Sequence, residues 1–260
     1  MKRFFIFGLG YTAKRIGTAL ENAGWTVAST GRDGTVAFGN HAAVTEALRE
    51  SSHVLSSVPP SRDSGTDPVL ETYGDALDHC WIGYLSSTGV YGDANGAWVD
   101  ESTPTGGGRR SARAECDALW MERGAHVFRL PGIYGPGRSA LDRVRDGRAN
   151  RIDISGQVFS RVHVDDIVSG VIAGLDAPSG AYNLGDDLPC SQNEVIEHAC
   201  RLLGQEPPPL QSLEEADLSP MALGFYAENR RVANGKAKRM LGWEPRYPTY
   251  KEGLAALLNG

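Results

Sequence analysis

Short apolar runs alternate with apolar positions spaced three and four apart through the first half of the chain. Phe4–Phe7, Trp25–Ser29, Val36–Phe38, Val54–Val58, Trp81–Leu85 and His126–Leu130 have strand length and few internal polar positions. Continuous rather than alternating apolar character predicts strands buried on both faces, as in a parallel sheet covered by helices. Between the first two runs, Ala13, Ile16, Leu20 and Ala23 recur at helical spacing and make one apolar face. Asp67-Pro68 predicts a helix start, a capping carboxylate followed by proline in the first turn. Asp165 is expected to open and cap an apolar helix through Ile167, Val168, Val171, Ile172 and Leu175, and Ala181–Leu184 reads as a further strand. Ser191 with Glu194 and Thr249 with Glu252 fit capping boxes, Gly204 and Gly242 fit helix stops, and Pro207–Pro209 reads as a rigid linker.

Composition narrows the classes. With 260 residues, 41% hydrophobic and 22% charged, the chain has ordinary globular composition. A net charge of −6 leaves no basic excess to neutralise phosphates, so neither nucleic acid nor an anionic membrane is an expected partner. The apolar run after Lys2 and Arg3 breaks at Gly8, too short for an export signal. Cys80, Cys116, Cys190 and Cys200 have no metal-type spacing and read as reduced thiols, which together predicts a cytoplasmic protein. The six histidines are scattered, so no metal site is expected.

Chemistry enters at the first strand. Phe4-Phe5-Ile6-Phe7-Gly8-Leu9-Gly10-Tyr11-Thr12-Ala13 is strand, glycine turn, helix. Gly8 suits the tight turn, Gly10 lets backbone approach a diphosphate, and Ala13 permits close helix–strand packing. The diphosphate would sit on the N–H groups at Tyr11 and Thr12, where the helix dipole favours negative charge. The fold class that follows is α/β, a Rossmann-type doubly wound parallel sheet with a small, mostly helical C-terminal lobe. The expected division is residues 1–135 with 162–185 for the nucleotide domain and 136–161 with 186–260 for the lobe. After the second strand come Thr30-Gly31-Arg32-Asp33. Arg32 suits a 2′-phosphate and favours NADP, while Asp33 leaves NAD as the alternative.

Four further segments carry a resemblance. They are Tyr84-Leu85-Ser86-Ser87-Thr88-Gly89-Val90-Tyr91-Gly92, Arg129-Leu130-Pro131-Gly132-Ile133-Tyr134-Gly135-Pro136-Gly137, Arg161-Val162-His163-Val164-Asp165-Asp166 and Leu241-Gly242-Trp243-Glu244-Pro245. With the glycine turn, they resemble the extended short-chain dehydrogenase/reductase family, the NAD-dependent epimerase/dehydratase group. The resemblance implies that Ser87 polarises the substrate and that Pro131, Gly132 and Ile133 lie against the nicotinamide. It also implies that Ser57, Val58 and Pro59 lie near the cofactor's ribose. The family's Tyr-x-x-x-Lys pair should fall within Pro104–Glu115, which contains neither residue. Arginine cannot replace the tyrosine as a general acid, but it can supply a positive field. Phe159 stands where members acting on nucleotide sugars usually carry an arginine, and Arg161 lies two residues on. The segment from Val58 to Trp81 is shorter than in relatives that dimerise through it, which leaves monomer and homodimer both open.

The candidate catalytic set is therefore Ser87 and Thr88 at a strand end, with Tyr91 or His163 to move a proton. Arg109 and Arg110, with Arg113, stand in the place of the missing pair. For Tyr91 and Tyr134 the alternative is packing, for His163 a structural role beside Asp165, and for the arginines a solvated face. Two functions compete. One is an NADP-dependent oxidoreductase, epimerase- or dehydratase-like, acting on an unidentified small molecule. The other is a non-catalytic dinucleotide sensor.

Overall fold

The computed structural model describes residues 2–108 and 111–259. Six strands form one parallel sheet: β1 (Arg3–Phe7), β2 (Thr26–Ser29), β3 (His53–Ser56), β4 (Trp81–Ser87), β6 (His126–Leu130) and β10 (Gly180–Asn183), in the order β10-β6-β4-β3-β1-β2. The two-residue strand β5 (Trp98–Val99) lies between β4 and β6 in the chain, outside this sheet. The order reverses direction between β1 and β3, so the sheet is doubly wound and its ligand edge lies at the carboxyl ends of the strands.

Phe4 and Ile6 pack into one core with α1 (Tyr11–Asn22) and α6 (Val164–Ala173), through Ile16, Leu20, Ile167 and Val171. Phe5 and Phe7 pack into the opposite core with α2 (His41–Glu50), α3 (Pro68–Tyr73) and α4 (Ser111–Glu122), through Val44, Leu48, Val69 and Trp120. This two-sided burial is the physical reason β1 reads as an unbroken apolar run. Two expectations need correction. Val36–Phe38 is not a strand: it makes one bridge, Thr30 to Val36, before Gly39 and the Asn40 cap start α2. Asp165 does not cap α6; His163 does, its Nδ1 accepting from the Asp165 N–H at 3.2 Å. The Asp67 cap, the Ser191 capping box and the left-handed stops at Gly204 (φ 63°) and Gly242 (φ 60°) stand as read.

Beyond β6 the chain turns into β7 (Gly132–Tyr134), which pairs in parallel with β9 (Arg161–His163). A third core joins α5 (Ala140–Arg145), α7 (Gln192–Leu203) and α10 (Tyr250–Asn259), through Leu141, Ile196 and Leu254. Two short parallel pairs tie this region together: β8 (Arg151–Ile152) with β11 (Leu210–Gln211), and β5 with β12 (Arg231–Val232). The helix α8 (Pro220–Tyr226) covers the cleft described below. The last helix before α10, α9 (Gly235–Leu241), and Trp243 after it pack on the sheet core instead. Among the described residues no helix is long and apolar enough to cross a membrane. The four cysteines carry no disulfide.

Candidate active site

The glycine turn is held from below. The Gly8 N–H donates to Thr30 Oγ1 at 3.1 Å and the Leu9 N–H to Thr30 O at 2.8 Å, so the end of β2 braces the turn. Gly8 has φ +81°, and a Cβ there would come within 3.0 Å of Val58. Gly10, the N-cap of α1, has no side chain to cap the helix, and nothing lies within 4 Å of where its Cβ would be. The first-turn N–H groups therefore face open space. An uncapped helix start, a glycine with space in front of it and a braced turn fit the diphosphate of a dinucleotide.

At the end of β2, Arg32 is exposed, while Asp33 forms an ion pair with Lys14. That contact holds the Asp33 carboxyl below its usual range. The acid expected to bind ribose hydroxyls in an NAD site thus carries a lysine partner at the surface, with Arg32 exposed beside it.

A cleft of about 970 Å³ runs from the glycine turn along the strand ends and beneath α8. Of the proposed cofactor residues, Tyr11, Thr12, Ser57, Pro131 and Ile133 line it; Gly8, Gly10, Arg32, Val58 and Pro59 lie outside its wall. Ser87 and Thr88 both line it, and Ser87 Oγ accepts from the Gly89 N–H at 3.1 Å. Arg113, from the first turn of α4, reaches the same wall and donates to the buried Tyr84 hydroxyl at 2.7 Å. Arg138, Arg143 and Arg161 line the remainder with Phe159 and Tyr226, against the carboxylates of Asp142 and Glu228. Arg109 and Arg110 fall outside the described residues.

Two candidates are placed elsewhere. The Tyr91 hydroxyl donates to Asn183 Oδ1 at 2.8 Å and accepts from Arg129 at 3.0 Å, and it does not line the cleft. Burial raises its pKa further. His163 is 1% exposed, packed between Tyr134 and Tyr247, and also outside the wall. Burial lowers its pKa, with the Asp165 carboxylate opposing. Tyr91 thus sits in a buried hydrogen-bond network and His163 caps a helix, and neither lines the cleft.

A buried ion pair anchors the wall from behind. Arg129 grips Asp117 with two hydrogen bonds, at 2.6 and 3.1 Å, and Ser86 donates to the same carboxylate at 2.5 Å. The pair fixes α4 against the ends of β4 and β6, where Arg113 and Ser87 project. Nothing local marks it, since an Arg on a strand and an Asp on a helix face read as surface residues until the fold buries them.

Behind the cleft, Asp186 has one carboxyl oxygen with no partner, and burial pushes its pKa up to about 7, with Arg161 opposing. The folded protein therefore holds a proton that the unfolded chain releases near pH 4. This stabilisation is full below pH 4 and is lost as pH rises through about 7. Asp186→Asn should abolish that loss: the melting temperature of the variant minus that of the wild type is expected to increase from pH 4 to about 7 and then level off. The free-energy scale is on the order of a few kcal/mol. Parallel pH profiles for the two proteins would exclude this role for Asp186.

No family model matches the chain. A solved structure of a functionally unknown conserved protein from Silicibacter pomeroyi is 39% identical, with TM-score 0.87, over 100% of this chain and 99% of that one. The fold also matches dTDP-glucose 4,6-dehydratase from Bacillus anthracis in complex with NAD, 17% identical, TM-score 0.80, over 100% of this chain and 96% of that one. A 3-diazoavenalumate denitrifying reductase from Streptomyces is 33% identical over 140 residues, 49% of this chain and 45% of the reductase. The matched stretches span less than half the length of the curated relatives.

Proposed function

We propose that the chain is a member of the extended short-chain dehydrogenase/reductase family that binds a nicotinamide dinucleotide as that family does, and that it acts as an NADP-dependent reductase without the family's Tyr-x-x-x-Lys pair. The observation that carries this reading is the continuity of the cleft. One cavity wall includes both the start of α1, at Tyr11 and Thr12, and the hydroxyls at the end of β4, at Ser87 and Thr88. A sensor would need the glycine turn but not a continuous cleft leading from the start of α1 to paired hydroxyls.

A bound nicotinamide supplies the hydride. Pro131 and Ile133 form the wall against which the ring would lie. Ser87 and Thr88 hold the accepting group by hydrogen bonding, and Arg113 contributes a fixed positive charge on the same wall. With Tyr91 and His163 outside the cleft, Ser87, Thr88 and Arg113 offer polarisation and charge stabilisation, and burial holds the tyrosines on the wall, Tyr11, Tyr134, Tyr226 and Tyr250, above the ordinary tyrosine pKa. An acceptor that loses a leaving group on taking a hydride needs no proton from the protein. The relative named for denitrifying a diazo acid suggests that type of acceptor for this chain too. Reduction of a diazonium fits: hydride forms the new C–H bond, the C–N bond breaks, and N₂ leaves with its electron pair.

The test is NADPH oxidation with a panel of diazo acids and small carbonyl compounds. Turnover is expected with at least one diazo acid. Ser87→Ala should lower it about a hundredfold, the scale for removing one polarising donor. Unchanged turnover in that variant would contradict Ser87's role, and no oxidation by any compound would favour the sensor.

A further inference from the structure

An arginine on the loop between β7 and α5, Arg138, lines the cleft beside the first residues of α1. The loop Gly135-Pro136-Gly137-Arg138 links β7 to α5 and closes on itself, Gly135 and Arg138 exchanging N–H···O bonds at 3.2 and 3.0 Å. It is docked on Tyr11, whose hydroxyl donates to Pro136 O at 3.1 Å. The contact is tight enough to require glycine at 135, where a Cβ would come 2.7 Å from the Tyr11 hydroxyl and 2.6 Å from Val164. The turn then sets the Arg138 guanidinium 5.7 Å from the centre of the Tyr11 ring, and Arg15 lies 4.1 Å from the same ring.

Arg138 lines the cleft beside Tyr11 and Thr12, whose N–H groups begin α1. Among the described residues no carboxylate forms an ion pair with it. Asp142, nearby on α5, is occupied by the Ser139 N–H and hydroxyl. A cation on a tight turn, without an ion pair among the described residues and beside a helix start that has no side-chain cap, has an anion as its natural partner.

We propose that Arg138 contacts the diphosphate of the dinucleotide from the side opposite α1, so that the two parts of the molecule clamp the cofactor between them. This inference rests on the glycine turn holding the dinucleotide.

The test uses the full chain and two ligands, NADPH and 2′-phospho-ADP-ribose, which keeps the diphosphate but lacks the nicotinamide. Arg138→Gln is expected to weaken both by about tenfold and by the same factor, as for loss of one charge-assisted contact. Arg138→Lys, which keeps the charge, should recover part of the affinity. Melting temperatures of the free proteins should agree, since Arg138 is exposed and makes no hydrogen bond through its side chain. Equal affinity of Arg138→Gln and wild type for both ligands would overturn the proposal, whether Arg138 is solvated or meets the acceptor instead. Loss confined to NADPH would also overturn it, because it would place Arg138 at the nicotinamide. A wild type that binds neither ligand would remove the underlying reading and this contact with it, a result distinguishable from the other two.

Discussion

Replacing Gly10 by valine is expected to abolish dinucleotide binding while leaving the fold intact. Gly10 has φ −86° and ψ −168°, an extended conformation open to any residue, and its Cβ position meets nothing within 4 Å. The space that valine would fill is the space in front of the first turn of α1, where a diphosphate would accept from the N–H groups. Losing two such contacts removes about 3 kcal/mol or more, roughly a hundredfold or greater in affinity. Stability should change by less than about 1 kcal/mol, since no core contact is touched. The neighbouring glycines make a useful contrast. A Cβ at Gly31, with φ +132°, would come 2.8 Å from the Leu9 N, so Gly31→Val is expected to lower stability as well as affinity. Thermal melts and NADPH titrations of the two variants separate these outcomes. Wild-type affinity in Gly10→Val would show that the ligand does not approach the helix start.

Asp117→Ala should be the most destabilising single change among the residues that support the cleft wall. Its carboxylate is 1% exposed and neutralises Arg129, itself 6% exposed, while also accepting from Ser86. Truncation leaves a buried guanidinium with the neutral Tyr91 hydroxyl as its remaining side-chain partner. Breaking a buried pair by removing one member costs about 3–5 kcal/mol. For a chain of this size that corresponds to a fall of roughly 10 °C in melting temperature. The pair itself is not the source of the stability, because its formation had to overcome desolvation of two charges. Asp117→Leu combined with Arg129→Met should therefore regain much of what Asp117→Ala loses. A fall below about 2 °C for Asp117→Ala, monitored by circular dichroism, would mean that water reaches Arg129 and the wall is not sealed there.

The parts of the molecule that were legible in the sequence are those whose causes are local. Phe4–Phe7 followed by Gly8 and Gly10 declares a buried strand and its turn within a few residues, and Ser191 with Glu194 declares a helix start the same way. Val36–Phe38 misled because Val36 and Phe38 are apolar for packing on the sheet, not for pairing in it. His163 looked chemical because its ring titrates near neutrality, yet its Nδ1 is spent on a helix cap. Tyr91 looked like a spare proton donor until the sheet brought Asn183 beside it. Asp117 and Arg129, or Tyr11 and Arg138, meet through long-range packing that no spacing encodes. Pro104–Glu115 shows on its face that it holds no Tyr and no Lys, but which groups face the cleft instead is set by the fold.

The glycine turn is expected to hold a dinucleotide and to prefer NADP. Calorimetric titration of the wild-type chain with NADPH and then NADH tests this directly. One NADPH per chain is expected, bound about tenfold or more tighter than NADH, as a charge-assisted contact from Arg32 to the 2′-phosphate implies. Absence of binding by either dinucleotide at millimolar concentration would contradict the account.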